Sequence, residues 1–173
     1  MNIKFASAIA IASFSLSGCA TVMNGVNQPI EFESEPAGAT VTTLAGQTCT
    51  TPCAFEMRRG NDNMVTYEAD GYEPVTIYMQ SRTGGSVAGN LLAGGIIGGV
   101  VDASNGASNN LYPDPVYIRM AVAGSGEAAL LLDKDGEVIS TVSEYNAEVA
   151  EDVREGLVGQ GLYASVDDVP PAD

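Results

Sequence analysis

The chain reads as mainly β: a small β-sandwich with a glycine-rich apolar insertion, possessing an acidic α+β C-terminal part. Three observations predict this. Between residues 30 and 80, short runs alternate apolar with polar residues, and turn residues punctuate them at the roughly 8–12-residue spacing of sandwich strands. From Thr83 to Val101 there is no charge, and glycines recur four residues apart. From Ala121 onward twelve acidic residues face only Lys134 and Arg154, and a helical apolar period follows a capping-box sequence.

The first element is an export signal. Lys4 precedes an unbroken apolar and small-residue run from Phe5 to Ser15, a basic n-region and a short h-region. The run falls short of the about 20 apolar residues of a spanning helix. Leu16-Ser17-Gly18-Cys19 then resembles the lipobox of bacterial lipoproteins. The resemblance implies removal of residues 1–18, a diacylglyceryl group on the Cys19 thiol and a lipidated N-terminus at Cys19. Ala20, rather than Asp, follows the cysteine, which under enterobacterial-type sorting implies the outer membrane. The alternative is an ordinary secretory signal with a chance cysteine.

The formal charge of −15 excludes nucleic acid as a partner, because phosphate binding needs a basic face. It also argues against electrostatic adsorption on anionic lipid, so membrane attachment is expected through acyl chains or an apolar segment. Of three cysteines, lipidation of Cys19 leaves Cys49 and Cys53 as a pair. Beyond the reducing cytosol they are expected to form a disulfide. A redox-active pair is disfavoured, since three residues separate them and no neighbouring Lys or His lowers a thiol pKa.

Residues 19–29 read as a tether. Ile30-Glu31-Phe32-Glu33 alternates as a half-buried strand, Pro36-Ala37-Gly38-Ala39 is a turn, and Thr40-Val41-Thr42-Thr43 is β-branched. Ala45-Gly46-Gln47 makes a second turn, and the cysteines bracket a third at Pro52. Ala54–Met57, Met64–Ala69 and Val75–Met79 read as strands, separated by Arg58–Asp62 and Asp70-Gly71-Tyr72. Glu35-Pro36-Ala37-Gly38-Ala39-Thr40-Val41, Cys49-Thr50-Thr51-Pro52, Gly60 and Ala69-Asp70-Gly71-Tyr72 resemble the PEGA domain over residues 28–80. That resemblance implies a small all-β module of bacterial envelope proteins without catalytic residues; the Cys49/Cys53 pair departs from its pattern. The β-domain is assigned to residues 30–120, with residues 81–115 as the insertion.

In that insertion Gly85 and Gly89, Gly94 and Gly98, and Gly95 and Gly99 share a four-residue spacing. On a helix such glycines lie on one face and allow close backbone approach in a membrane or an oligomer. A helix over the uncharged stretch would reach about 28 Å, although each glycine costs it about 1 kcal/mol in water. An apolar hairpin or short helix covering the sandwich is the other reading. Gly89-Asn90, Gly94-Gly95-Ile96-Ile97-Gly98, Val101-Asp102, Gly106-Ala107 and Tyr112-Pro113, with Gly18-Cys19-Ala20 and Asn24-Gly25, resemble a group of small uncharacterised bacterial lipoproteins. Val116–Met120 alternates as a closing strand.

In residues 121–173, Leu130–Leu132 and Val138-Ile139 flank Asp133-Lys134-Asp135-Gly136 as a hairpin. Thr141 and Glu144 form a capping box, and Val142, Tyr145, Val149, Val153 and Leu157 give an amphipathic helix ending near Gly159. Leu162, Ala164 and Val166 alternate as a final strand before a tail. The whole reads either as a small subdomain or as a loose appendage.

The chain has no His, which removes Ser-His and Cys-His nucleophile pairs and imidazole metal sites. Asp133-Lys134-Asp135-Gly136 lacks the further ligands of a calcium loop. No catalytic residue, metal or cofactor is expected beyond the lipid on Cys19. The sequence points to a non-enzymatic, lipid-anchored envelope protein whose partners are the membrane and either a second copy or another envelope protein. The competing reading is an envelope hydrolase using the carboxylates between Glu144 and Glu155, which requires a cleft holding two acids about 5–10 Å apart.

Overall fold

The computed structural model describes residues 26–83 and 109–172. β1 (Asn27–Glu35) follows its alternation: Gln28, Ile30, Phe32 and Ser34 are buried while Glu31 points outward. It starts inside the expected tether, because Asn27, Gln28 and Pro29 already pair with Arg58, Met57 and Glu56 of β4 (Cys53–Arg58). On its other side β1 runs parallel to β8 (Val116–Arg119), with Phe32 opposite Val116. β9 (Leu130–Leu132) pairs with β8, and β10 (Val138–Thr141) with β9, giving the sheet order β10-β9-β8-β1-β4.

The second sheet has the order β3-β2-β5-β6-β7. It contains β2 (Thr40–Thr43), β3 (Thr48–Thr50), β5 (Asn63–Glu68), β6 (Val75–Thr83) and β7 (Asn109–Tyr112). The two sheets share one apolar core. Phe32 and Tyr67 lie with ring centroids 6.5 Å apart, and the Tyr67 hydroxyl, fully buried, donates to the Val116 carbonyl at 2.8 Å. That bond satisfies the one polar atom of an otherwise apolar contact between the sheets.

α1 (Val142–Gly159) opens with the expected capping box: the Thr141 hydroxyl accepts from the Glu144 N–H, and the Glu144 carboxylate accepts from the Thr141 N–H, both at 3.1 Å. Its stripe of Val142, Tyr145, Val149, Val153 and Leu157 is buried. The helix runs along β6. Ile77, Tyr78, Met79 and Gln80 are consequently buried in succession, so both faces of that strand are covered.

Three expectations need correction. The ends of the 81–115 insertion are strand: Gln80–Thr83 of β6 pair with Tyr112–Asn109 of β7. The segment after residue 120 is neither separate nor loose, because β9 extends the sheet of β1 and α1 packs in the common core. The final strand does not form. Residues 161–165 are turn and bend, and Val166–Asp168 is a 3-10 helix. Its carbonyl at Val166 and that of Val169 accept from the Arg154 guanidinium at 2.6 and 3.3 Å, which seats the segment on α1 instead of on a sheet edge.

Candidate functional site

Cys49 ends up beside β2 in the sheet, opposite Val41, while Cys53 opens β4 of the other sheet. The disulfide between them, with Cα atoms 6.3 Å apart, therefore ties the edges of the two sheets at one corner. The turn it brackets carries Thr51, whose buried hydroxyl accepts from the N–H groups of Gly38 and Ala39 at 3.1 and 3.0 Å and bonds the Ser34 hydroxyl at 2.5 Å. Gly38, with φ +95°, supplies the left-handed turn residue that places both donors there. The Pro-Ala-Gly-Ala and Thr-Thr-Pro segments, separate in sequence, are thus one hydrogen-bonded corner. Cys19 and Gly85, Gly89, Gly94, Gly95, Gly98 and Gly99 lie outside the described residues.

The densest polar cluster was not anticipated. It lies where the turn between β4 and β5, carrying Arg59 and Asp62, meets the end of β6, the start of β7 and the C-terminal half of α1. The Arg59 side chain donates to the Asn27 carbonyl at 3.0 Å and to Asn110 Oδ1 at 2.7 Å. The Ser81 hydroxyl donates to the Arg59 carbonyl at 2.6 Å and accepts from Asn109 Nδ2 at 2.9 Å. Gln80, buried, donates to Asp152 Oδ2 at 2.7 Å and accepts from Arg82 Nε. Asp62 Oδ1 accepts from the Ser81 N–H at 2.8 Å. Burial pushes the Asp62 carboxyl up to about 6; the Ser81 N–H opposes this, and the charge of Asp152 adds to it.

The second Asp62 oxygen occupies space that only a glycine of α1 leaves open: a Cβ on Gly156 would sit 1.8 Å from Oδ2. The sequence did contain a signal, since an isolated glycine inside a helical pattern usually has a packing reason. The partner, 94 positions away in sequence, could not be named from it.

The other candidate chemistries resolve locally. Asp133-Lys134-Asp135-Gly136 is a turn: Asp133 Oδ1 accepts from the N–H groups of Asp135 and Glu137, each at 2.9 Å. Among the described residues no group of three His, Cys, Asp or Glu side chains could hold a metal. Glu144, Glu148, Glu151, Asp152 and Glu155 are all exposed along α1, so no cleft encloses two of them. A cavity of about 200 Å³ lies between Glu73, Val75, Ala121, Ala129 and Val142, smaller than the usual roughly 300–1,000 Å³ of a ligand pocket. Among the described residues no helix is long and apolar enough to cross a membrane. Compared with known protein families, curated proteins and solved structures, the chain matches none.

Proposed function

We propose that this chain is a lipid-anchored protein of the bacterial cell envelope with a structural or interaction role rather than a catalytic one. One observation carries the reading: Leu16-Ser17-Gly18-Cys19 directly behind Lys4 and the apolar run to Ser15. The Cys49–Cys53 disulfide supports it, since such bonds persist in oxidising compartments. The exposed carboxylates of α1 give no support to the hydrolase alternative, which needs two acids facing one cleft. The PEGA-like sandwich belongs to the same proposal; the corner joining Thr51 to Gly38 and Ala39 is compatible with it.

Mass spectrometry of the protein recovered from membranes tests the reading. The expected N-terminal peptide begins at Cys19 and carries acyl mass, and Cys19→Ala abolishes both processing and lipidation. A peptide running unbroken through Gly18 and Cys19, with a free thiol, would overturn it.

A further inference from the structure

Three side-chain donors hold the segment that follows α1. The Tyr78 hydroxyl of β6 donates to the Pro170 carbonyl and the Asn146 amide of α1 to the Ala172 carbonyl, both at 3.0 Å. The Arg154 guanidinium of α1 donates to the carbonyls of Val166 and Val169 at 2.6 and 3.3 Å. Residues 169–172 belong to no strand or helix. Residues 161–165, which lead into the segment, are turn and bend, with Leu162 53% exposed. The segment can therefore leave without unpairing a strand or opening α1.

Its burial has a period of three. Val169 and Ala172 are 1% and 8% exposed, while Pro170 and Pro171 between them face solvent. Val169 has φ −74° and ψ 121°, and Val169 and Pro170 each precede a proline, which favours extended backbone. This is the repeat of polyproline II, whose carbonyls carry no internal hydrogen bonds. A proline offers no N–H, so a groove that reads it must donate, as the Tyr hydroxyl, Asn amide and Arg guanidinium do. Asn146 and Arg154 lie eight residues apart on α1, about 12 Å. The run from Val169 to Ala172 spans about 9 Å as polyproline II and passes along the helix in the opposite direction. Arg154 Nε is buried without a hydrogen-bond partner among the described residues, a further donor on the same guanidinium.

We propose that the groove formed by Tyr78, Asn146 and Arg154 recognises an extended segment of apolar-Pro-Pro-small character on a partner protein, and that Val166–Ala172 fill it in cis until such a segment displaces them. This gives the interaction role proposed above a site and a ligand, and rests on that role. The chain's own segment displays what is read: main-chain carbonyls and two apolar side chains three residues apart, which another protein can present equally well. A tethered competitor acts at an effective concentration of about a millimolar. The groove therefore responds to a segment that binds more tightly or is itself held nearby.

The test uses full-length protein in detergent and a fluorescein-labelled peptide carrying Val-Pro-Pro-Ala between Gly and Ser residues, read by anisotropy. Val169→Asp places a charge where the segment is buried; it is expected to free the groove and bind the peptide at least about tenfold more tightly than the parent. Adding Tyr78→Phe removes the hydroxyl that reads the Pro170 carbonyl and is expected to weaken this binding about three- to tenfold. Asp in place of the peptide's Val and Ala is expected to abolish it. The chain has no Trp, so Pro171→Trp puts a single indole on the segment, and its emission is expected to shift to the red when millimolar peptide displaces it. A folded Val169→Asp chain that ignores the peptide, or that binds it equally well after Tyr78→Phe or after the Asp exchanges, would overturn the site. Should Val169→Asp fail to fold, the indole decides: unchanged emission at millimolar peptide would make the segment a fixed part of the body and overturn the exchange. A parent dimer on size exclusion that Val169→Asp dissolves would assign the groove to a second copy and overturn the partner. Protein that carries acyl mass yet binds no peptide overturns the groove alone, whereas an unmodified Cys19 overturns the anchored reading whatever the peptide does.

Discussion

Asn146 of α1 accepts a hydrogen bond from the Tyr78 N–H at 3.0 Å and donates to the Thr76 carbonyl at 2.8 Å. Both groups point from the edge of β6 on which β7 pairs only from Gln80 onward. One side-chain amide thus stands in for a strand residue, and it also donates to the Ala172 carbonyl at 3.0 Å, fastening the C-terminal tail. With 2% exposure, Asn146 satisfies backbone groups that water reaches poorly.

Asn146→Ala is expected to lower stability by about 2–4 kcal/mol, because three buried hydrogen bonds go at once. Asn146→Asp should cost at least as much, since its carboxylate faces two carbonyl acceptors. Urea unfolding midpoints check both; a loss below about 0.5 kcal/mol for the alanine variant would show that water replaces the amide.

Asp62 makes stability depend on pH. Its carboxyl is raised from 3.8 to about 6 in the fold, so the folded state favours the neutral form. The stability this provides is fully present below 3.8 and is lost as pH rises through about 6. Asp62→Asn keeps an acceptor for the Ser81 N–H without the charge. It is expected to match the parent near pH 4 and to exceed it at pH 7–8 by on the order of 1–3 kcal/mol. Unfolding curves across this range test the sign; a variant less stable than the parent at pH 8 contradicts it.

Gly156→Ala would ordinarily favour a helix by about 1 kcal/mol. Here the new Cβ displaces the Asp62 carboxylate from the space 1.8 Å away. The expected result is loss of the Ser81 hydrogen bond and return of Asp62 toward the ordinary carboxylate range, read by carboxyl NMR titration. An unchanged titration near pH 6 would refute the contact.

At the sheet corner, Thr51→Val removes the acceptor shared by Gly38 and Ala39 and is expected to cost about 1–3 kcal/mol. Replacing Cys49 and Cys53 together by serine should cost about 2 kcal/mol, the chain-entropy value for so short a loop. Thermal unfolding of the two variants compares them; a serine pair as stable as the parent would mean that the corner is held by Thr51 alone.

The sequence determined by itself what depends on neighbouring residues. Alternation marked most strands, Thr141 and Glu144 marked the start of α1, and the spacing of Val142, Tyr145, Val149, Val153 and Leu157 marked its buried face. The cysteine pair was legible because setting Cys19 aside as the expected lipid site left only Cys49 and Cys53, and the two do form a disulfide. Only the tertiary structure decided which edges meet: β8 parallel to β1, β9 on β8, and Asn146 on the edge of β6. Leu162, Ala164 and Val166 show the reason. They alternate as a strand should, yet Leu162 is 53% exposed and the Val166 carbonyl is taken by Arg154. A strand needs a partner edge as well as a period, and pairing across long sequence separations is absent from any local pattern. The Asp62 cluster was hidden for the same reason: its raised carboxyl is a product of burial against Gly156 and Ser81, which the chain brings together only on folding.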